Sequence, residues 1–262
     1  MRAKKRFGQH FLEAAWADKL VAAIDPQPAD RFVEIGPGPG ALTLRLAPRV
    51  AWLTAVELDL AMVEMLRPRV PGNVTLVHAD FLDFDLASLA SDRPVRAAGN
   101  LPYNVASPIL FALIAAHRRT GSILDATLMV QREVAARLHA APGGRDYGVL
   151  SIFVQLHADV RPVLALPPGA FRPMPKVHSS VVHLRFRPPA VSLSDESAFE
   201  AMVRTMFGQR RKMLQNALRP YAESRNRSAA AALAAAGIDG ARRPETLQLT
   251  ELARLAEFFA SG

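Results

Sequence analysis

The feature that most narrows the possible folds is the run Glu34-Ile35-Gly36-Pro37-Gly38-Pro39-Gly40, which follows the apolar pair Phe32-Val33. A short strand running into spaced glycines, with a helical pattern from about residue 41, predicts a tight strand-to-helix turn that a ligand can approach closely. Three readings compete. The turn can be ligand-free. It can hold a dinucleotide, since Gly36, Gly38 and Ala41 satisfy the looser G-x-G-x-x-A pattern. Or it can hold an adenosine ligand without phosphates. Pro37 and Pro39 argue against the dinucleotide, because each removes a backbone donor that a pyrophosphate would use.

The rest of the first two-thirds keeps the same alternation. Helical spacing covers 13–24, and strand-like runs cover 32–35, 52–58, 74–77, 95–98 and 126–130. Between them, helices are predicted from about 41 and over 61–69, 107–117 and 131–140. This order implies an α/β, Rossmann-like fold, a mostly parallel sheet with helices on both faces. A helical pattern to about 156 and β-rich stretches at 160–166 and 177–186 follow. Pro188-Pro189 and the polar run 192–197 read as a linker. Beyond it, 198–207, 212–218, 229–236 and 250–260 are helical in pattern. The expected organisation is a catalytic α/β domain over 1–190 and a small all-α domain over 191–262.

Successive strands in this scheme end in acids: Glu34, Glu57 and Asp80. Glu57, about 20 residues past the glycines, can hold both hydroxyls of a ribose. Asp80 can accept from an adenine amino group. Each acid alone reads better as a solvated strand end, but three in register point to an adenosine-containing cofactor. Asn100-Leu101-Pro102-Tyr103 then follows the fourth strand; in isolation it reads as a turn with a packing tyrosine, but behind the cofactor signature it points to chemistry. An adenine amino nitrogen is a poor nucleophile because its lone pair is delocalised into the ring. The Asn100 side-chain oxygen and a nearby backbone carbonyl, that of Leu101, can accept its two N–H bonds and favour a pyramidal nitrogen. Tyr103 offers a face for the base, worth roughly 1–3 kcal/mol. Phe171, on the Pro-stiffened stretch to Val177, either clamps the base from the opposite face or caps the core.

Composition removes other chemistries. The chain has no cysteine, so disulfides, thiolate zinc sites and covalent cysteine adducts are excluded. Its seven histidines show no metal-ligand spacing, and no metal is expected. No apolar run approaches the roughly 18 residues of a membrane span, and no signal-peptide pattern follows the basic start; a cytoplasmic protein is expected. The net charge of +8 and pI near 10.5 suggest a polyanionic partner, or an Arg-rich composition with evenly spread charge. Clusters at Lys4, Lys5 and Arg6, at Arg118 and Arg119, at Arg210, Arg211 and Lys212, at Arg225 and Arg227, and at Arg242 and Arg243 favour phosphate contacts, with a solvated helix surface as the alternative for any one of them.

The chain resembles the bacterial small-subunit (16S) rRNA adenine N6,N6-dimethyltransferases along nearly its whole length. The resemblance runs through Lys5-Arg6-Phe7-Gly8-Gln9-His10-Phe11-Leu12, the EIGPGPG run, Val56-Glu57-Leu58-Asp59 and NLPYNVAS from Asn100. It continues through Gln131-Arg132-Glu133-Val134, Tyr147-Gly148, FRPMPKVHSS from Phe171, and Phe207-Gly208-Gln209-Arg210-Arg211-Lys212. Many relatives carry asparagine at the position of His10, and Ser or Thr at that of Ala106. The resemblance implies a class I S-adenosylmethionine-dependent methyltransferase fold and four methyl transfers to two adjacent adenosines of a hairpin loop near the 3′ end of 16S rRNA. The substrate would be a precursor of the small ribosomal subunit, and the enzyme a monomer. The implied cofactor set is Gln9, His10, Leu12, Glu34, Gly36, Gly38, Gly40, Glu57, Leu58, Asp80, Phe81 and Asn100. The implied catalytic set is Asn100, Leu101, Pro102, Tyr103 and Phe171, and Lys4, Lys5, Arg6, Arg210, Arg211 and Lys212 are expected to bind RNA. The competing readings are a large-subunit methylase of the erythromycin-resistance type, a non-catalytic RNA-binding assembly factor and, more distantly, a nicotinamide oxidoreductase.

Overall fold

A computed structural model describes residues 10–89, 93–103 and 105–260. The helix α1 (Ala14–Ile24) follows the short strand β1 (Phe11–Leu12) and buries Ala17, Leu20, Val21 and Ile24, a single stripe at helical spacing. Next come β2 (Arg31–Ile35), α2 (Thr43–Leu46), β3 (Trp52–Glu57), α3 (Leu60–Leu66), β4 (Val74–His78), β5 (Val95–Asn100), α4 (Ala106–Thr120) and β6 (Ile123–Gln131). After α5 (Arg132–Leu138) and α6 (Val149–His157), the chain adds β7 (Ala158–Leu166), β8 (Phe171–Arg172) and β9 (Ser179–Phe186). The helix expected from residue 41 is only one turn long before a 3-10 turn that contains Pro48, whose missing N–H cannot continue the α-helical ladder.

Seven of these strands form one sheet in the order β4-β3-β2-β5-β6-β9-β7. Pairing is parallel from β4 through β6 and antiparallel at β6–β9 and β9–β7. The chain winds outward from β2 through β3 to β4, then returns to pair β5 on the other side of β2. The carboxyl ends of β2 and β5 therefore flank a topological switch point, where open α/β sheets bind ligands. Gly99 allows the two strands to meet there, since a Cβ at this position would lie 2.7 Å from the Ile35 carbonyl oxygen.

Two compact units emerge. One ends at Ala135 and resumes over Ala158–Phe186; the other comprises Ala136–His157 and the chain from Arg187 onward. A single cut at residue 190 therefore misassigns 136–157. That segment is held in the helical unit by side chains: the Tyr147 hydroxyl donates to the Leu247 carbonyl (3.1 Å), Phe153 meets Phe199 edge-on, and His157 Nε2 lies 2.6 Å from Glu196 Oε1. The helical unit also contains α7 (Glu196–Gly208), α8 (Leu214–Ser224), α9 (Ala229–Ala236) and α10 (Leu249–Ala260). Asp195 and Ser228 cap α7 and α9 by accepting from Ala198 and Ala231 N–H. Although expected to stop at 218, α8 runs through Pro220, because its buried stripe Leu214, Ala217, Leu218, Tyr221 and Ala222 continues across the proline. Among the described residues no helix is long and apolar enough to cross a membrane.

Candidate active site

A cavity of about 410 Å³ opens at the switch point. Its floor is the glycine turn. Gly36, Gly38 and Gly40 all take positive φ (65°, 54° and 88°), and a Cβ on Gly38 would stand 3.3 Å from the Phe11 ring. The three glycine N–H groups are already used within the protein. Gly36 donates to the Val56 carbonyl (2.9 Å), Gly40 to that of Pro37 (2.9 Å), and Gly38 to Glu57 Oε2 (2.9 Å). With Pro37 and Pro39 lacking donors, this turn is not built to cradle a pyrophosphate.

Glu57, at the end of β3, is buried and fixed at both oxygens, since its Oε1 accepts from Asp59 N–H (2.9 Å). Asp59 in turn caps α3 through Ala61 N–H. Each Glu57 oxygen keeps a second lone pair, which suits a vicinal diol. Beyond β4, Asp80 Oδ1 accepts from Leu82 N–H (2.9 Å), which holds the turn that brings Phe81 into the wall. Leu58, nearly half exposed, lines the same side. Glu34, in the middle of the cavity lining, is 2 % exposed. Among the described residues its Oε2 is buried without a hydrogen-bond partner. Burial, reinforced by the charge of Glu57 and opposed by Thr43, pushes its carboxyl up to about 8.

The opposite wall is the end of β5. Asn100 Nδ2 donates to the His10 carbonyl (2.8 Å), which commits the amide nitrogen and leaves the side-chain oxygen to accept. Leu101 is buried and donates its N–H to the Met129 carbonyl (3.0 Å). Pro102 and Tyr103 complete the lining, and the Tyr103 hydroxyl lies 3.0 Å from Ser179 Oγ. The His10 ring stacks on Tyr103 at 5.7 Å, and its Nδ1 is 2.7 Å from the Pro173 carbonyl oxygen.

Of the sequence-predicted set, His10, Leu12, Glu34, Gly36, Gly38, Glu57, Leu58, Asp80, Phe81, Asn100, Leu101, Pro102 and Tyr103 converge on this one cavity. Gly40 shapes the turn from outside the lining, since a Cβ there would collide with Leu66. Phe171 does not take part. It is 0 % exposed and sits in the core with Leu20, Phe32 and Leu53, because β8 pairs antiparallel with β1 and sets Phe171 opposite Leu12. It caps the core and is absent from the cavity lining. Sequence reasoning missed Phe11, Ile109 and Met129 in the lining and Ser179 behind Tyr103. Ile109 was the accessible one, lying on the helix that follows the Asn-Leu-Pro-Tyr turn.

The basic candidates divide. Lys4, Lys5 and Arg6 lie outside the described residues, as does Gln9 of the predicted cofactor set. Arg210 donates to the Gly144 carbonyl (3.1 Å) and approaches Glu245 (3.8 Å), whereas Arg211 and Lys212 are exposed. Arg242 is paired with Glu251, and Arg225 and Arg227 lie over the rings of Tyr221 and Phe258. Among the described residues no cluster of His, Asp and Glu suits a metal ion.

The family model described as ribosomal RNA adenine dimethylase matches residues 1–261. A ribosomal RNA small subunit methyltransferase A of Nitrosococcus oceani is 44 % identical over 263 residues, covering 98 % of this chain and 96 % of its own. Another, of Xanthomonas campestris pv. campestris, is 41 % identical over 258 residues (97 % and 95 %). Among solved structures, a dimethyladenosine transferase from Plasmodium falciparum superposes with a TM-score of 0.81 at 25 % identity, covering 96 % of this chain and 98 % of that one. The 23S rRNA methyltransferase ErmE gives 0.69 at 27 % identity (96 % and 100 %).

Proposed function

We propose, from the premise that this chain belongs to the ribosomal RNA adenine dimethylase family, that it methylates the N6 amines of two adjacent adenosines near the 3′ end of 16S rRNA. It acts as a cytoplasmic monomer on a precursor of the small subunit, with S-adenosylmethionine as methyl donor. The single observation that carries the reading is the Asn100 amide, whose nitrogen is taken by the His10 carbonyl. That bond fixes the direction in which the side-chain oxygen, the amide's acceptor, is presented to an amino N–H.

The cavity residues fit the cofactor on their own chemistry. Glu57 offers a buried carboxylate for the ribose diol, and Asp80 and Phe81 suit the adenine. Glu34 Oε2, buried and unpartnered, suits a cationic amine. When bound, the cofactor supplies a methyl group activated by a sulfonium centre. The chain's own work is orientation. The Asn100 oxygen and the Leu101 carbonyl accept the two amino hydrogens of the target adenine, and the Tyr103 ring stacks on its face. Tyr103 is held for that task by His10 on one side and Ser179 at its hydroxyl. No strong base is required, since the methylated nitrogen is cationic and acidic and gives up its proton readily. Arg211 and Lys212 contribute exposed charge for phosphates.

The test is transfer of radiolabelled methyl groups to small subunits lacking this modification, with large subunits in parallel. Label in dimethyladenosine of small-subunit rRNA alone is expected. Label in the large subunit alone would assign the chain to the activity named for ErmE, and none in either would leave an RNA-binding factor.

A further inference from the structure

The segment joining β8 to β9 carries side chains that neither the cavity nor the core uses. Pro175 is buried and pins its middle, while Met174, Lys176 and Val177 face outward. Met174 is 62 % exposed and Val177 41 %. Single exposed apolar residues are common and mean little alone. What singles these out is how the segment is tied down. His10 Nδ1 is bonded to the Pro173 carbonyl (2.7 Å), Arg132 N–H donates to that of His178 (3.0 Å), and the Tyr103 hydroxyl meets Ser179 Oγ (3.0 Å). Two of these anchors, His10 and Tyr103, line the cavity and stack on each other.

Met174 follows Pro173 directly, so its Cα stands about 3.8 Å or less from that of the residue bonded to His10. It lies between two prolines, which restrict the backbone on either side. Arg172 adds an ion pair to Glu13 (3.1 Å). The result is a stiff ledge beside Tyr103 that offers a thioether, an isopropyl group and an ammonium to solvent.

We infer that this ledge receives the nucleotide adjoining the target adenosine, with Met174 and Val177 packed on its base and Lys176 at its phosphate. The inference rests on the reading above that the substrate is an adenosine in RNA. Drawing one base out of a strand exposes the face of its neighbour, and apolar wedges, methionine among them, replace such lost stacking elsewhere. A flexible, polarisable thioether tolerates either purine or pyrimidine. The cation two residues along the ledge matches a phosphodiester and favours a nucleic acid over an apolar protein partner. The ledge stands on one side of the cavity and meets the neighbour on one side of the strand, which is the other target adenosine in one reaction and a flanking nucleotide in the other, so Met174 is a substrate-positioning residue for both.

The test compares wild type, Met174→Ala, Met174→Leu and Lys176→Ala on unmodified small subunits, with methylation read separately at each adenosine. Cofactor affinity and melting temperature are measured alongside. The expected result for Met174→Ala is a loss in kcat/KM on the order of tenfold at both positions, with most of it restored in Met174→Leu. Cofactor affinity and melting should not move, since the truncated atoms are exposed. Lys176→Ala should make the dependence of subunit binding on salt shallower by about one phosphate contact. Met174→Ala within twofold of an active wild type would overturn the inference and leave the proposed function standing. A wild type inactive on both subunits would remove the proposed function, and the inference with it.

Discussion

Glu34 makes the stability of the protein depend on pH in a direction opposite to that of ordinary surface carboxylates. Its carboxyl is raised from 4.5 to about 8 by burial, with the Glu57 charge adding to the effect. Between those two values the native state holds a proton that the unfolded chain has released. The contribution is therefore complete below about pH 4.5 and is lost as the pH rises through about 8. Each pH unit inside the window changes the unfolding free energy by about 1.4 kcal/mol. Going from pH 6 to 8 stays within it, so Glu34 alone should remove about 2 kcal/mol. For a chain of this size that corresponds to roughly 4–8 °C in melting temperature. Glu34→Gln keeps the shape and is neutral at every pH, so its melting curve carries the contribution of all other groups. The assay is a set of thermal melts of both proteins from pH 6 to 8. Wild type should lose ground steadily against the variant across the series. Parallel curves would refute the reasoning, because they would mean that Glu34 is ionised in the native state throughout.

The remaining predictions concern the site and its supports. A cationic cofactor seated against the same carboxyl would draw off its proton. Calorimetry at pH 7 in buffers of different ionisation enthalpy should then show net proton release, absent in Glu34→Gln. Asn100→Ala should lower kcat on the order of a hundredfold or more with little change in cofactor affinity, measured by single-turnover transfer and calorimetry. Glu57→Ala should weaken cofactor binding roughly ten- to a hundredfold, the scale of hydrogen bonds to a charged group. Arg96 joins Asp30 (2.7 Å) to Asp125 (3.0 Å) and donates to the Ile24 carbonyl at the end of α1. Arg96→Ala should destabilise by about 3 kcal/mol in denaturant titrations, because two carboxylates lose their partner.

How much of this was legible in the sequence depends on how far apart the partners are along the chain. The glycine turn, the acids at or just past the ends of β2, β3 and β4, and the Asn100 turn each follow from a local rule, a strand end or a φ that only glycine tolerates easily. The parallel sheet then brings strand ends together without further instruction, which is why so much of the predicted cofactor set converges on one cavity. Phe171 shows where local reading stops. Its neighbours Pro173 and Pro175 mark a loop, and an aromatic on a loop beside a binding motif suggests a base clamp. The decisive fact is the pairing of Phe171 with Leu12, nearly 160 positions earlier, and no periodicity within either segment encodes it. The segment 136–157 fails in the same way: its helical pattern was visible, but its attachment to Leu247, Phe199 and Glu196 was not. The two cases also separate structure from function by experiment. If Phe171 only fills the core, Phe171→Ala should lower stability by about 3–5 kcal/mol, whereas Phe171→Leu should keep most of the stability and transfer methyl groups at nearly the wild-type rate. A stable Phe171→Leu that had lost transfer would restore the aromatic to the active site, and would require β8 to part from β1 when RNA binds.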